Sequence, residues 1–97
     1  MKTILSVDDD DMILGCFRDV LTERGYQVIT TSDPNDVHKL LDEQAVDLIT
    51  LDVHMPQKDG LVVFEELKKN NRVLPVLFVT AYPGSFSIQN GRMMTIW

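Results

Sequence analysis

The stretch Leu48-Ile49-Thr50-Leu51-Asp52-Val53-His54-Met55-Pro56-Gln57-Lys58-Asp59-Gly60 decides how this 97-residue chain is read. An apolar run of strand character ends on a carboxylate, then breaks at Met55-Pro56 and Asp59-Gly60 into a turn with a helix beyond it. A second such run, Thr3-Ile4-Leu5-Ser6-Val7, ends in Asp8-Asp9-Asp10-Asp11. If the two strands are parallel neighbours, Asp8, Asp9 and Asp52 converge on one crevice at the C-terminal rim of a sheet.

Working outward, strand-like runs at residues 2–7, 26–30, 47–51 and 74–79 alternate with helix-like ones. That alternation implies right-handed βαβ units around a parallel sheet. In the first helix, near 11–24, the pairs Met12/Ile13, Cys16/Phe17 and Val20/Leu21 recur every four residues and line one face; Gly25 is its stop. Asp33-Pro34 reads as an N-cap followed by proline at the first helical position, with Val37, Leu40 and Leu41 turned inward. Asp59 caps a third helix, in which Leu61, Phe64 and Leu67 are apolar and Lys68 and Lys69 complement the dipole in the last turn. After Pro83 neither helical nor strand periodicity is found.

A chain of this length, 44% hydrophobic, suits one domain that buries roughly 60–65% of its unfolded surface. A net charge of −6 and a pI near 4.6 argue against nucleic-acid phosphates or an anionic membrane as partner. The lone Cys16 cannot form an internal disulfide; it is expected to be a small core residue in a reducing cytoplasm. No run is long enough for a signal peptide or a membrane span.

Two or three carboxylates at close quarters repel, so one must hold a proton or a cation must neutralise them. Oxygen-only ligands point to a hard ion. Mg²⁺ keeps several waters, so two carboxylates and a backbone carbonyl leave positions for water and a phosphoryl oxygen. In such a site an aspartate oxygen can act as nucleophile and form an acyl phosphate. Thr80, ending the run 74–79, would bring a hydroxyl donor to the same edge. Asp10 and Asp11 are expected to serve the first turn of a helix, His54 to expose its imidazole, His38 to lie near no co-ligand, and Lys58 to be a surface charge.

Three segments together, Val7-Asp8-Asp9-Asp10, Leu51-Asp52-Val53-His54-Met55-Pro56 with Asp59-Gly60, and Val79-Thr80-Ala81-Tyr82, resemble the receiver domain of two-component response regulators. The resemblance covers about residues 2–83. It implies an α/β, doubly wound, flavodoxin-like parallel sheet in a core at 1–83, followed by an atypical tail at 84–97. It also implies that Asp52 is the phosphoacceptor and Thr80 the switch hydroxyl. Asp9, Asp52 and the carbonyl of His54 would then hold Mg²⁺, with Asp8 supporting the site partly through metal-bound water. The implied partner is a sensor histidine kinase or a phosphotransfer protein, and the implied chemistry is self-phosphorylation rather than enzymatic turnover.

The chain departs from that family where a fifth strand, a lysine followed by proline, and a fifth helix are expected. No lysine follows Lys69. The expectation is therefore a receiver with its fifth strand and helix missing or replaced, impaired in phosphoryl chemistry, and prone to self-association through the exposed edge of 74–79. Two alternatives are a phosphorylation-independent interaction module, or non-functional truncated receiver, and an aspartate-nucleophile phosphohydrolase. The last is disfavoured because those enzymes carry a second acid where this chain has His54. Back-translated from the last base of the Arg92 codon, Met93-Met94-Thr95-Ile96-Trp97 yields two consecutive aspartates for any codon choice, as receivers carry before their lysine. A shifted reading frame predicts a Lys-Pro just downstream in that frame of the coding DNA, and its absence on sequencing would end the idea.

Overall fold

The computed structural model describes residues 1–79; the expectations for Thr80 and for the tail at 84–97 lie outside them. Among the described residues the order is β1 (Thr3–Val7), α1 (Asp11–Glu23), β2 (Gln27–Thr31), a 3-10 turn (Pro34–Asp36), α2 (Val37–Glu43), β3 (Leu48–Asp52), α3 (Gly60–Lys69) and β4 (Val76–Val79). All strand pairs are parallel, in the spatial order β2-β1-β3-β4. This is the receiver-type arrangement, in which the chain direction across the sheet reverses between β1 and β3. Ligands of such sheets bind outside the carboxyl ends of the strands at that reversal.

Strands covered on both faces read as near-continuous apolar runs, and β1 is buried along its whole length. Alternate residues then sort to opposite faces. Leu5, Val7, Ile49, Leu51, Val76 and Phe78 meet Val37 of α2 and Val63 and Leu67 of α3 in one core, with Leu40, Leu41 and Phe64 packed against it. Phe64 and Phe78 meet edge to face at 5.3 Å between ring centroids. Burying each large side chain of this layer contributes roughly 1.5–3 kcal/mol. The opposite face carries Ile4 and Ser6 and is covered by α1 through Leu14.

Helix ends are set by local chemistry. Asp10 caps α1 by accepting from Met12 N at 2.9 Å, and Asp59 caps α3 by accepting from Leu61 N at 2.7 Å. At the end of α1, Gly25 takes φ +93° while its N–H donates to Thr22 O and that of Tyr26 to Leu21 O. This is the paired closure that a left-handed residue after the C-cap allows. Asn71, at φ 57°, closes α3 in the same way, with bonds to Lys68 O and, through Arg72 N, to Leu67 O.

Two expectations need correction. Asp33-Pro34 opens a 3-10 turn before α2 rather than α2 itself, and the Asp33 carboxylate accepts from Asn35 N. The apolar pairs of α1 do line one face, where Met12, Ile13, Cys16, Phe17 and Val20 bound a groove, but that face lies open: Leu14 is buried, whereas Met12 is 79% and Val20 53% exposed. Adjacent residues stand about 100° apart on a helix, so a stripe two residues wide spreads past the contact line with the sheet. Cys16 falls on the outward side with Met12 and Val20 and is exposed, not part of the core.

Candidate functional site

Because Val7 is in register with Leu51, the residues that follow β1 emerge beside the last residue of β3, Asp52. Asp8 extends the ladder by donating its N–H to Thr31 O at 3.2 Å, which points its side chain into the rim, where it is 4% exposed. Its Oδ1 accepts from Asp10 N at 2.9 Å. Asp9 is exposed and Asp52 half-buried. Carboxylate oxygens of Asp8, Asp9 and Asp52 all lie within 4.8 Å of one another.

The β3–α3 loop wraps over Asp52. His54 N donates to Asp52 Oδ1 at 3.1 Å, and Gly60 N donates to Val53 O at 3.1 Å. A side chain at Gly60 would collide with the carbonyl oxygen of Asp52, so glycine there lets α3 start against the end of β3. The His54 side chain is exposed and Met55 is buried. Lys58 is not a free surface charge: its Nζ donates to both carboxylate oxygens of Glu66 at 3.1 Å. Nor does His38 stand alone, since its Nε2 lies 3.3 Å from Glu66 Oε1. The sequence gives little sign of this cluster, because its members come from three separate elements.

Electrostatics mark the rim as under-neutralised. Burial raises the Asp52 carboxyl to about 7, and the charges of Asp8 and Asp9 add to it against the opposing His54 N–H. Burial likewise raises Asp8, with Asp9 and Asp10 repelling its charged form. Among the described residues, the salt bridges join other groups and reach none of these three acids. The donor set fits Mg²⁺: all oxygen, dense in negative charge, and close to the spacing of oxygens about 3–4 Å apart on an octahedral ion.

The response regulator receiver domain family matches residues 4–95. The chain belongs to that family. It is 38% identical over 85 residues to the alkaline phosphatase synthesis transcriptional regulatory protein PhoP of Bacillus subtilis, which covers 88% of this chain and 35% of that protein. The chain spans about a third of the length of the transcriptional regulators it matches. Among solved structures, TrrA of Thermotoga maritima in complex with Mg²⁺-BeF superposes with a TM-score of 0.79 at 34% identity, over 86% of this chain and 72% of that one. TrrA in complex with the histidine kinase ThkA gives a TM-score of 0.80 at 33% identity, over 90% and 75%. Among the described residues of the receiver, no helix is long and apolar enough to cross a membrane.

A carboxyl whose folded pKa is raised binds more protons in the folded than in the unfolded chain. Its stabilising contribution is full below the unfolded value of 3.8 and is lost as pH rises through about 7. In chemical denaturation without divalent cation, the stability of the natural chain relative to Asp52→Asn should therefore fall between pH 4 and pH 7.5. Millimolar Mg²⁺ should close the gap at the upper end. A difference independent of pH would contradict the electrostatic account.

Proposed function

We propose that Asp52 is the phosphoacceptor of this receiver, taking a phosphoryl group from a histidine kinase or a phosphotransfer protein in a Mg²⁺-dependent reaction. The observation that carries this reading is the meeting of the Asp8, Asp9 and Asp52 carboxylates, within 4.8 Å, at the point where the sheet reverses direction. The TrrA complexes with Mg²⁺-BeF and with a histidine kinase support it by likeness.

Asp9, Asp52 and the backbone carbonyl of His54 are the groups that would hold Mg²⁺, with Asp8 supporting them from its buried position. When bound, the ion offsets the charge of the three carboxylates and of the phosphoryl oxygens. The chain's own part is to present ionised Asp52 in a fixed rotamer, which the His54 N–H secures. An Asp52 oxygen lone pair forms the new bond to phosphorus. The P–N bond to the donor imidazole breaks, and its electron pair stays on the nitrogen, which takes up a proton. Thr80 is the hydroxyl proposed to meet the phosphoryl oxygens, from outside the described residues. This is a signalling domain acting in a cytoplasm, with neither nucleic acid nor membrane as its direct partner.

An apolar groove of about 350 Å³ on α1, lined by Met12, Ile13, Cys16, Phe17 and Val20, begins next to the acidic rim. It favours one second reading, an interaction module that binds a kinase without accepting phosphate.

Incubation with a phosphorylated histidine kinase should give Mg²⁺-dependent, acid-stable and alkali-labile labelling that Asp52→Asn abolishes. Kinase binding with no label on the folded chain would select the interaction module instead. The second expectation concerns β4, an edge strand among the described residues. Sedimentation at micromolar concentration should show association through it, and a single sharp monomer boundary would refute that.

A further inference from the structure

We propose that Lys58, Glu66 and His38 form a polar latch that fixes the β3–α3 loop over the acidic rim, making Glu66 a positioning residue for Mg²⁺ capture at Asp52. The inference rests on the Mg²⁺-dependent reading of Asp52 given above.

The loop, residues 53–59, is secured at its two ends by backbone bonds. Val53 N donates to Val79 O at 3.2 Å and Gly60 N to Val53 O at 3.1 Å. Between those ends lies His54, whose N–H orients Asp52 and whose carbonyl is a proposed ligand. Side-chain anchors hold this middle portion. Met55 is buried in the core, and Lys58 reaches across to Glu66 in the C-terminal half of α3, donating to both of its oxygens at 3.1 Å. From the other side, His38 of α2 places Nε2 at 3.3 Å from Glu66 Oε1. One carboxylate thus ties the loop to α2 and α3, the two helices that pack on this face of the sheet among the described residues.

A contrast within α3 separates this latch from ordinary helix support. Glu65 and Lys68 form the usual pair three residues apart, at 3.8 Å, with side chains 69% and 51% exposed. Glu66 makes no such pair along its own helix. Its partners are distant in sequence, and all three side chains are withdrawn from solvent, Lys58 to 20%, His38 to 28% and Glu66 to 35% exposure. Desolvation acts to raise the Glu66 carboxyl, yet Lys58 and His38 outweigh it and hold the group below its ordinary value. Glu66 therefore stays ionised at neutral pH.

Groups behind a metal's own ligands act by restricting where those ligands can sit. Loosening the latch lets the His54 carbonyl wander from the rim without disturbing the core. The test is a MgCl2 titration of the full 97-residue chain followed by amide NMR, with far-UV circular dichroism as the control for folding. Glu66→Gln and Lys58→Met should each weaken Mg²⁺ binding about 3- to 10-fold, at or below the usual range for such supporting groups. They should also broaden or shift the amides of residues 53–59. The exchanged pair Lys58→Glu with Glu66→Lys should return to within about 2-fold of the natural chain, because it restores the charge attraction between loop and helix. Natural affinity in Glu66→Gln and Lys58→Met, or an exchanged pair as weak as the single variants, overturns the latch. If the natural chain itself binds no Mg²⁺, the phosphoacceptor reading fails and the latch falls with it. A defect confined to the variants counts for the latch and leaves that reading intact.

Discussion

Three carboxylates held within 4.8 Å of one another are the constraint around which the rest of this receiver is arranged. Left to themselves they would separate, since desolvation and like charge both disfavour the ionised forms, as the rise of Asp52 to about 7 records. The fold holds them together because the acids continue strands that cannot move apart. β1 is fully buried, β3 nearly so, and the two run in register from Ile4 with Leu48 to Val7 with Leu51. Sliding either strand by one residue would exchange the side chains of its two faces and mispack both layers. The apolar layers thus supply the stability that the rim gives up.

The acidic run at 8–11 shows how backbone geometry assigns different work to identical side chains. Asp8 is carried into the rim by the last ladder bond of β1, and Asp9, one residue on, is exposed with an oxygen still in the cluster. Asp10 has left the strand and caps α1, and Asp11 lies in the first turn, where a negative charge suits the helix dipole. The same division recurs after β3. Asp52 belongs to the rim and Asp59 caps α3, with glycine at position 60 allowing the helix to begin against the Asp52 carbonyl.

That division explains what could be read from the sequence. Strand ends, the Asp59 cap of α3 and the glycine closing α1 depend on a few adjacent residues, and the meeting of Asp8, Asp9 and Asp52 needs only the added premise that β1 and β3 are neighbours. What stayed hidden depends on directions or partners set by the whole fold. Cys16 was expected in the core because its helix carries a broad apolar stripe, and only the position of the sheet shows that Leu14 marks the contact line. The cluster of Lys58, Glu66 and His38 joins residues from a loop and two helices, a separation that no local period encodes. The 3-10 turn at Pro34–Asp36 escaped because an N-cap followed by proline starts either kind of helix.

The two ends of the sheet also differ in kind. At the N-terminal rim opposite charges and complementary donors are matched: Thr3 N donates to Asp47 Oδ2 and Asp47 N to Thr3 O, each at 2.8 Å, while Arg72 pairs with Asp42. At the C-terminal rim like charges face one another, and the contacts they do make lead outward. Asp8 accepts from Asp10 at the start of α1, and Asp52 accepts from His54 at the start of the loop to α3. Any group that neutralises or adds charge at Asp52 changes the strength of these bonds first. The elements that depend on them are α1, which bears an exposed apolar groove, and the loop that Glu66 holds down. A matched rim has no comparable free energy to release. The molecule is thus stable at one end and responsive at the other, and the asymmetry follows from where its carboxylates lack counter-charges.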